Sequence, residues 1–232
     1  MTDKRIVLAR RPIGRPVPND FRLETFAAPR PAEGQLLLET QWLSLDPYMR
    51  GRMSDEASYA PPIALGDVIV GRTIGRVAES RHRDFAVGDL VMANSGWQTL
   101  ALSDGTGLRR LSPDMARPTL ALGVLGYSGF AAYVGLLDVA RLVPGETVIV
   151  AAATGPVGAT VVQLAKLKGA RVIAIAGGEA KVSYARDILG ADVALDHRAP
   201  DLLARWPPRS PRVLTCMSRM SAERCWRRSS PS

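Results

Sequence analysis

Thr147-Val148-Ile149-Val150-Ala151-Ala152-Ala153-Thr154-Gly155-Pro156-Val157-Gly158-Ala159 joins a short apolar run to a helix-forming segment through a turn containing two glycines. Val148–Ala151 reads as a buried strand and Val157–Lys168 as a helix. Val172-Ile173-Ala174-Ile175 reads as a second strand, Ala180–Leu189 as a second helix and Val193-Ala194-Leu195 as a third strand. Strand, helix, strand, helix, strand is the pattern of an α/β fold with a doubly wound parallel sheet. Gly155 permits a tight turn and close backbone approach to a pyrophosphate. Gly158 lets the helix lie against the strand, and the unpaired N–H groups of the helix start offer an anion site. Ala153 stands where the first glycine of the usual three-glycine fingerprint would be. The alternative reading of the same residues is a pair of glycines that merely closes a strand–helix turn.

At the end of the second strand, an NAD-binding fold usually presents Asp or Glu to the ribose 2′-hydroxyl. This chain has Ala176-Gly177-Gly178, with Lys181 in the next turn and Arg186 beyond it. An acid would repel a 2′-phosphate and a cation would attract it, so the pattern favours NADP. Glu179 opposes that reading if it turns toward the ribose. Lys181 by itself also fits an ordinary solvated lysine near a helix start.

Upstream, residues 1 to about 115 read as short strands between turns, with Leu36-Leu37-Leu38, Val68-Ile69-Val70, Ile74–Val77 and Leu90-Val91-Met92 as the apolar pieces. Pro12, Gly14, Pro16, Pro18, Pro29, Pro31 and Gly34 punctuate the start, which predicts a small, mostly β domain. From Pro118 to Pro144 the apolar residues recur at helical spacing.

Composition narrows the function classes. With 232 residues, 47% hydrophobic and 22% charged, the chain has globular rather than disordered character. No run approaches the roughly 18 apolar residues of a membrane span, and no signal-like block follows Met1, so the expectation is a cytoplasmic protein without a membrane partner. Two cysteines and two histidines, His82 and His197, give no familiar metal-ligand spacing, and no metal site is expected. Of the net charge of +8, the stretch from Arg205 to Ser232 supplies +6, with seven Arg against Glu223. The nearly neutral remainder argues against a nucleic-acid partner.

Several further phrases carry a resemblance: Ser44-Leu45-Asp46-Pro47-Tyr48-Met49-Arg50-Gly51-Arg52-Met53-Ser54-Asp55, Gly123-Val124-Leu125-Gly126, Ala151–Ala159, Ala176-Gly177-Gly178 and Leu195-Asp196-His197. In order and spacing the chain resembles the zinc-independent medium-chain dehydrogenase/reductases, specifically the alkenal, prostaglandin and curcumin reductase group, over about residues 4 to 204. The resemblance implies an N-terminal GroES-like β domain (residues 1–120) followed by an incomplete Rossmann domain (121–205). It implies NADPH-dependent reduction of the carbon–carbon double bond of an α,β-unsaturated ketone or aldehyde, an enone or enal, with a homodimer allowed for the full-length form. By position, Gly155, Pro156, Val157 and Gly158 match the pyrophosphate loop, and Gly177 lies in the turn after the second strand. Lys181 matches the lysine that meets the 2′-phosphate, and His197 stands where relatives place Tyr or His near the adenosine. Tyr48 matches a tyrosine facing the nicotinamide and substrate cleft, where its phenol would donate to a carbonyl. Read from the residues alone, Tyr48 is a partly buried loop tyrosine and His197 a surface histidine at a strand end. The chain departs from the family at Gly126-Tyr127-Ser128-Gly129-Phe130-Ala131-Ala132-Tyr133, where relatives read Gly-Met-Pro-Gly-hydrophobic-Thr-Ala-Tyr and the threonine hydroxyl is lost at Ala131.

After about Arg205 the family pattern stops, and residues 206–232 read as an aberrant basic tail. Codons can be chosen for Val213–Pro231 such that reading from the third base of the Val213 codon gives FDVYVENVGGAVLEAVLP, the family's next segment. The expectation is a frameshifted, truncated reductase whose sheet ends after its third strand and leaves an open edge, and whose 232 residues alone are inactive. A noncatalytic NADP-binding fragment or interaction protein is the alternative.

Overall fold

The computed structural model describes residues 2–56, 60–202, 213–216 and 226–228, the last two stretches as backbone alone. The chain divides into two compact units, Met1–Leu122 and Gly123–Ser232.

In the first unit, β1 (Thr2–Leu8) pairs antiparallel with β2 (Phe21–Ala27), from Leu8 opposite Phe21 to Thr2 opposite Ala27. β3 (Leu36–Leu43) is followed by the short helix α1 (Tyr48–Arg52) and then by β4 (Thr73–Ser80), β5 (Leu90–Ala93), β6 (Leu100–Ser103) and β7 (Arg109–Arg110). These strands form an antiparallel sheet in the order β6-β3-β4-β5-β7. Leu36, Leu38, Val77, Val91 and Ala93 form one apolar cluster, flanked by Phe85 and Leu108. Leu8, Met49, Met53, Ile63 and Ile69 form another, which ties β1 to α1.

Val68-Ile69-Val70, expected as a strand, is not one. Ile69 donates to the Ile6 carbonyl (3.0 Å) and accepts from Trp97 N–H (2.8 Å), and Val68 bridges Val7 alone. Glycines bracket the run: Gly66 has φ 87°, and a Cβ on Gly71 would lie 2.7 Å from Leu43 Cδ1 and 3.0 Å from Met49 Cε. Three residues between such turns fill a slot between two neighbours without propagating a ladder.

In the second unit, α2 (Tyr127–Tyr133) continues through wider, π-type turns over Val134–Val139. The alternation then follows: β8 (Thr147–Ala151), α3 (Pro156–Leu167), β9 (Arg171–Ala176), α4 (Glu179–Ser183, continued by π-type turns over Tyr184–Ile188) and β10 (Val193–Asp196). β8, β9 and β10 are parallel, with Val148 opposite Val172 and Ala174 opposite Ala194. Side chains alternate across the sheet. Val148, Val150, Val172 and Ala174 meet Leu136, Val161, Val162, Ala165, Ala185 and Leu189 on one face. Ile149, Ile173 and Leu195 gather with Ile175, Val193 and Leu202 on the other.

The sheet does not stop at its third strand. β11 (Val213–Cys216) pairs in parallel with the free side of β8, and β12 (Trp226–Arg228) pairs antiparallel with β11, giving the order β10-β9-β8-β11-β12. The expected open edge at β8 is therefore corrected. A β8 edge with unpaired backbone groups is a template, and Val-Leu-Thr-Cys is a β-prone run without proline. The rest of the expected aberrant tail lies outside the described residues.

Candidate cofactor site

The C-terminal ends of β8, β9 and β10 lie at one end of the parallel sheet, and each is followed by residues singled out in the sequence. After β8 the chain turns through Ala152, whose φ is 48°, and Ala153, fully buried with its N–H bonded to the Ile175 carbonyl at 3.0 Å. Gly155 N–H then closes on the Ala152 carbonyl (2.9 Å) and Gly155 becomes the N-cap of α3. Pro156 takes the first helical position, where its fixed φ suits the helix and no N–H is needed. Ala159 N–H reaches the Gly155 carbonyl (2.8 Å), so Val157 and Gly158 are left with N–H groups that have no acceptor within α3. Gly158 is buried, and a Cβ there would collide with the Ala152 carbonyl oxygen and come within 2.9 Å of Ala153 Cα. That close approach brings the helix start down onto the strand end and leaves a bare-backbone cradle of the kind a pyrophosphate needs.

After β9, Gly177 and Gly178 form the turn, with Gly178 at φ 89° as the N-cap of α4. Lys181 N–H and Val182 N–H both return to the Gly178 carbonyl at 3.1 Å, and the Lys181 side chain is exposed. Glu179, the acid that could have opposed a phosphate, runs along its own helix and accepts a hydrogen bond from Ser183 Oγ at 3.2 Å. His197 follows β10, its N–H bonded to the Ala176 carbonyl at 3.0 Å. A Cβ on Gly177 would lie 2.7 Å from His197 Nε2 and 3.1 Å from Arg198 Nε, so both side chains lie over this turn.

The sequence reading passes over two residues here, Asp196 and Arg198. Asp196 Oδ1 accepts Arg198 N–H at 2.9 Å, and the carboxylate also takes the Gly178 N–H. These two backbone donors, Gly178 first, hold the Asp196 carboxyl below its ordinary range. Asp-x-Arg at a strand end is a recognisable turn pattern. Only the pairing of β10 with β9, however, reveals which glycine the acid holds.

The structure thus gathers Gly155, Pro156, Val157, Gly158, Gly177, Lys181 and His197 at successive strand ends of the second unit. Tyr48 belongs to the first unit. It is half-buried as expected, against the Met49, Met53 and Ile69 cluster, but it is the first residue of α1 rather than part of a loop. Arg50, on the same turn, donates to the Pro12 carbonyl (3.0 Å) and the Gly14 carbonyl (3.0 and 3.1 Å). Arg11 pairs with Asp55 at 2.6 Å and donates to the Ile63 carbonyl. These arginines fasten the loop after β1 beside the helix that carries Tyr48.

Among the described residues no three His, Cys, Asp or Glu side chains are grouped to hold a metal ion, and no helix is long and apolar enough to cross a membrane.

Residues 4–111 match the family described as the N-terminal domain of oxidoreductase, and residues 156–208 match the family described as zinc-binding dehydrogenase. NADPH-dependent curcumin reductase of Escherichia coli (strain K12) is 56% identical over 199 residues, covering 86% of this chain and 58% of that protein. Prostaglandin reductase 1 of Rattus norvegicus is 43% identical over 188 residues, covering 80% of this chain and 55% of that protein. The crystal structure of CurA from Vibrio vulnificus in complex with NADPH is 50% identical, with a TM-score of 0.83 over 87% of this chain and 60% of that one. The chain therefore spans about 60% of the length of these relatives. With both unit folds, the glycine turn and these identities in agreement, the chain belongs to the medium-chain dehydrogenase/reductases, in the group that contains the curcumin and prostaglandin reductases.

Proposed function

We propose that the chain derives from an NADPH-dependent reductase of the carbon–carbon double bond of enones and enals, and that its second unit holds NADP(H). The observation that carries the reading is the end of the parallel sheet. There a bare-backbone helix start follows β8, and a glycine turn with Lys181, and with no acid at the end of β9 itself, follows β9. The Val157 and Gly158 N–H groups, with Gly155 and Pro156 shaping the turn, bind the pyrophosphate. Gly177 lets His197 and Arg198 lie close over the turn that faces the adenosine ribose. Lys181 meets the 2′-phosphate, and His197 stands beside the adenosine.

When bound in the full-length reductase, the dinucleotide would supply a hydride for the β-carbon of the substrate. The charge that develops on the substrate carbonyl oxygen as the enolate forms calls for a hydrogen-bond donor. Tyr48, held by α1, is the residue we assign to that task through its phenol O–H. A proton must also reach the α-carbon. Ala131 has no hydroxyl to contribute near the nicotinamide. The protein acts in the cytoplasm and uses neither a nucleic acid nor a membrane as its partner.

We further propose that the segment after Arg205 arises from a shift of reading frame, and that these 232 residues bind the cofactor without turning over substrate. The test is a titration of the purified chain with NADPH followed by addition of an alkenal. The expected result is cofactor binding without enone-dependent NADPH oxidation. Oxidation at enzyme-like rates overturns the inactivity and supports the reductase assignment, whereas absence of NADPH binding overturns the assignment of the cofactor site.

A further inference from the structure

The turn between β9 and α4 carries one cation, Arg198, beyond the Lys181 that the sequence motif supplies. A Cβ placed on Gly177 would sit 2.7 Å from His197 Nε2, 3.1 Å from Arg198 Nε and 3.4 Å from Arg198 Cζ. A Cβ on Gly178 would sit 3.7 Å from Arg198 Nη1. The Arg198 guanidinium therefore lies over the Gly177-Gly178 turn rather than reaching away from it. Its side chain is exposed, and its backbone is anchored there: Asp196 accepts Arg198 N–H at 2.9 Å and Gly178 N–H with the same carboxylate, tying the start of the Arg198 turn to the glycine it covers.

This acid is the one carboxylate at the end of β10, in the neighbourhood where a ribose hydroxyl would seek an acceptor. Two backbone donors already occupy it. Held in this way, Asp196 shapes the turn, and the Arg198 guanidinium over the two glycines offsets the charge of that carboxylate toward a phosphate. Arginine is always charged and presents a planar fork of donors that fits phosphate oxygens.

We propose that Arg198 is a specificity-determining residue for the phosphorylated dinucleotide, donating to its 2′-phosphate from the β10 side of the turn, with Asp196 as the positioning residue. The proposal rests on the NADP reading above. It goes beyond that reading by moving part of the discrimination from Lys181 on α4 to a residue on the next strand end.

The test is calorimetric titration of the full chain and its Arg198→Ala, Arg198→Lys, Lys181→Ala and Gly177→Ala variants with NADP+, NAD+, adenosine 2′,5′-bisphosphate and 5′-AMP. Arg198→Ala is expected to weaken NADP+ and the bisphosphate about tenfold or more while leaving NAD+ and 5′-AMP within about twofold. Arg198→Lys is expected to keep part of the preference, since it keeps the charge and loses the fork. Gly177→Ala, whose methyl displaces both His197 and Arg198, is expected to lower the NADP+ to NAD+ preference as well. Equal losses for both dinucleotides, or none, in Arg198→Ala overturn the proposal. If Lys181→Ala alone abolishes the preference, the NADP reading stands and the role of Arg198 falls. If the unsubstituted chain binds NADP+ no better than NAD+, the reading itself falls and the proposal with it.

Discussion

Ala152 holds a left-handed backbone, φ 48°, in the turn on which α3 is seated, and its carbonyl is the atom that Gly155 N–H binds and that Gly158 nearly touches. An L side chain in that region costs about 1 kcal/mol relative to glycine. Ala152→Gly is therefore expected to raise the thermal midpoint, a gain of up to about 1 kcal/mol in denaturant unfolding. Gly158→Ala should do the opposite. Its methyl meets the Ala152–Ala153 backbone, so the helix start must move, and a loss of about 2 kcal/mol is expected together with weaker dinucleotide binding. The two glycine positions were legible because a motif fixes their spacing from a strand end. The special conformation of Ala152 was not, since in Ala151-Ala152-Ala153 nothing distinguishes the residue that turns from the residue that is buried. Arg198 escaped for a different reason: its place depends on which strand lies beside β9.

β10 is only four residues long and sits at the sheet edge, yet an aspartate near each end fastens it to β9. Asp196 does so through Gly178. Asp192 does so at the other end, where its carboxylate accepts Val172 N–H at 2.6 Å and Lys166 Nζ at 2.7 Å while its own N–H returns to the Val172 carbonyl. Burial pushes the Asp192 carboxyl up, but the hydrogen bonds from Lys166 and Val172 outweigh it and leave the group below its ordinary value of 3.8. A carboxyl depressed in the folded state stabilises the fold above its unfolded value, and that contribution disappears as pH falls through the folded one. Asp192→Asn should thus cost about 1 kcal/mol near neutrality, and the difference from the unsubstituted protein should shrink below about pH 4, as acid titrations followed by circular dichroism would register. The helices and strands from β8 to β10 were legible to within a residue or so because period and glycine placement agree. Val68–Val70 misled because apolar content says nothing about whether two partners are available over more than one residue.

At the scale of the molecule, the α/β class, the mostly β first unit and the order of strands 8 to 10 follow from the sequence, whereas the placement of β11 and β12 does not. Side-chain pattern is a poor guide to a strand whose place is offered by its neighbour's backbone. The proposed frame shift has a direct check in the DNA across the codons for Ala204 to Leu214. A base added or missing there, with the frame continuing through Glu-Asn-Val-Gly-Gly, is the expected outcome, and an intact frame would overturn it. The pairing of Val213–Cys216 with β8 bears on how such a lesion is tolerated. The vacant rim of a parallel sheet selects for hydrogen-bonding valence and extended shape, which most short peptides share, rather than for a particular string of side chains. If the proposed frame shift holds, the residues it introduces cover the β8 rim by backbone pairing alone and move the sheet's free edge out to β12.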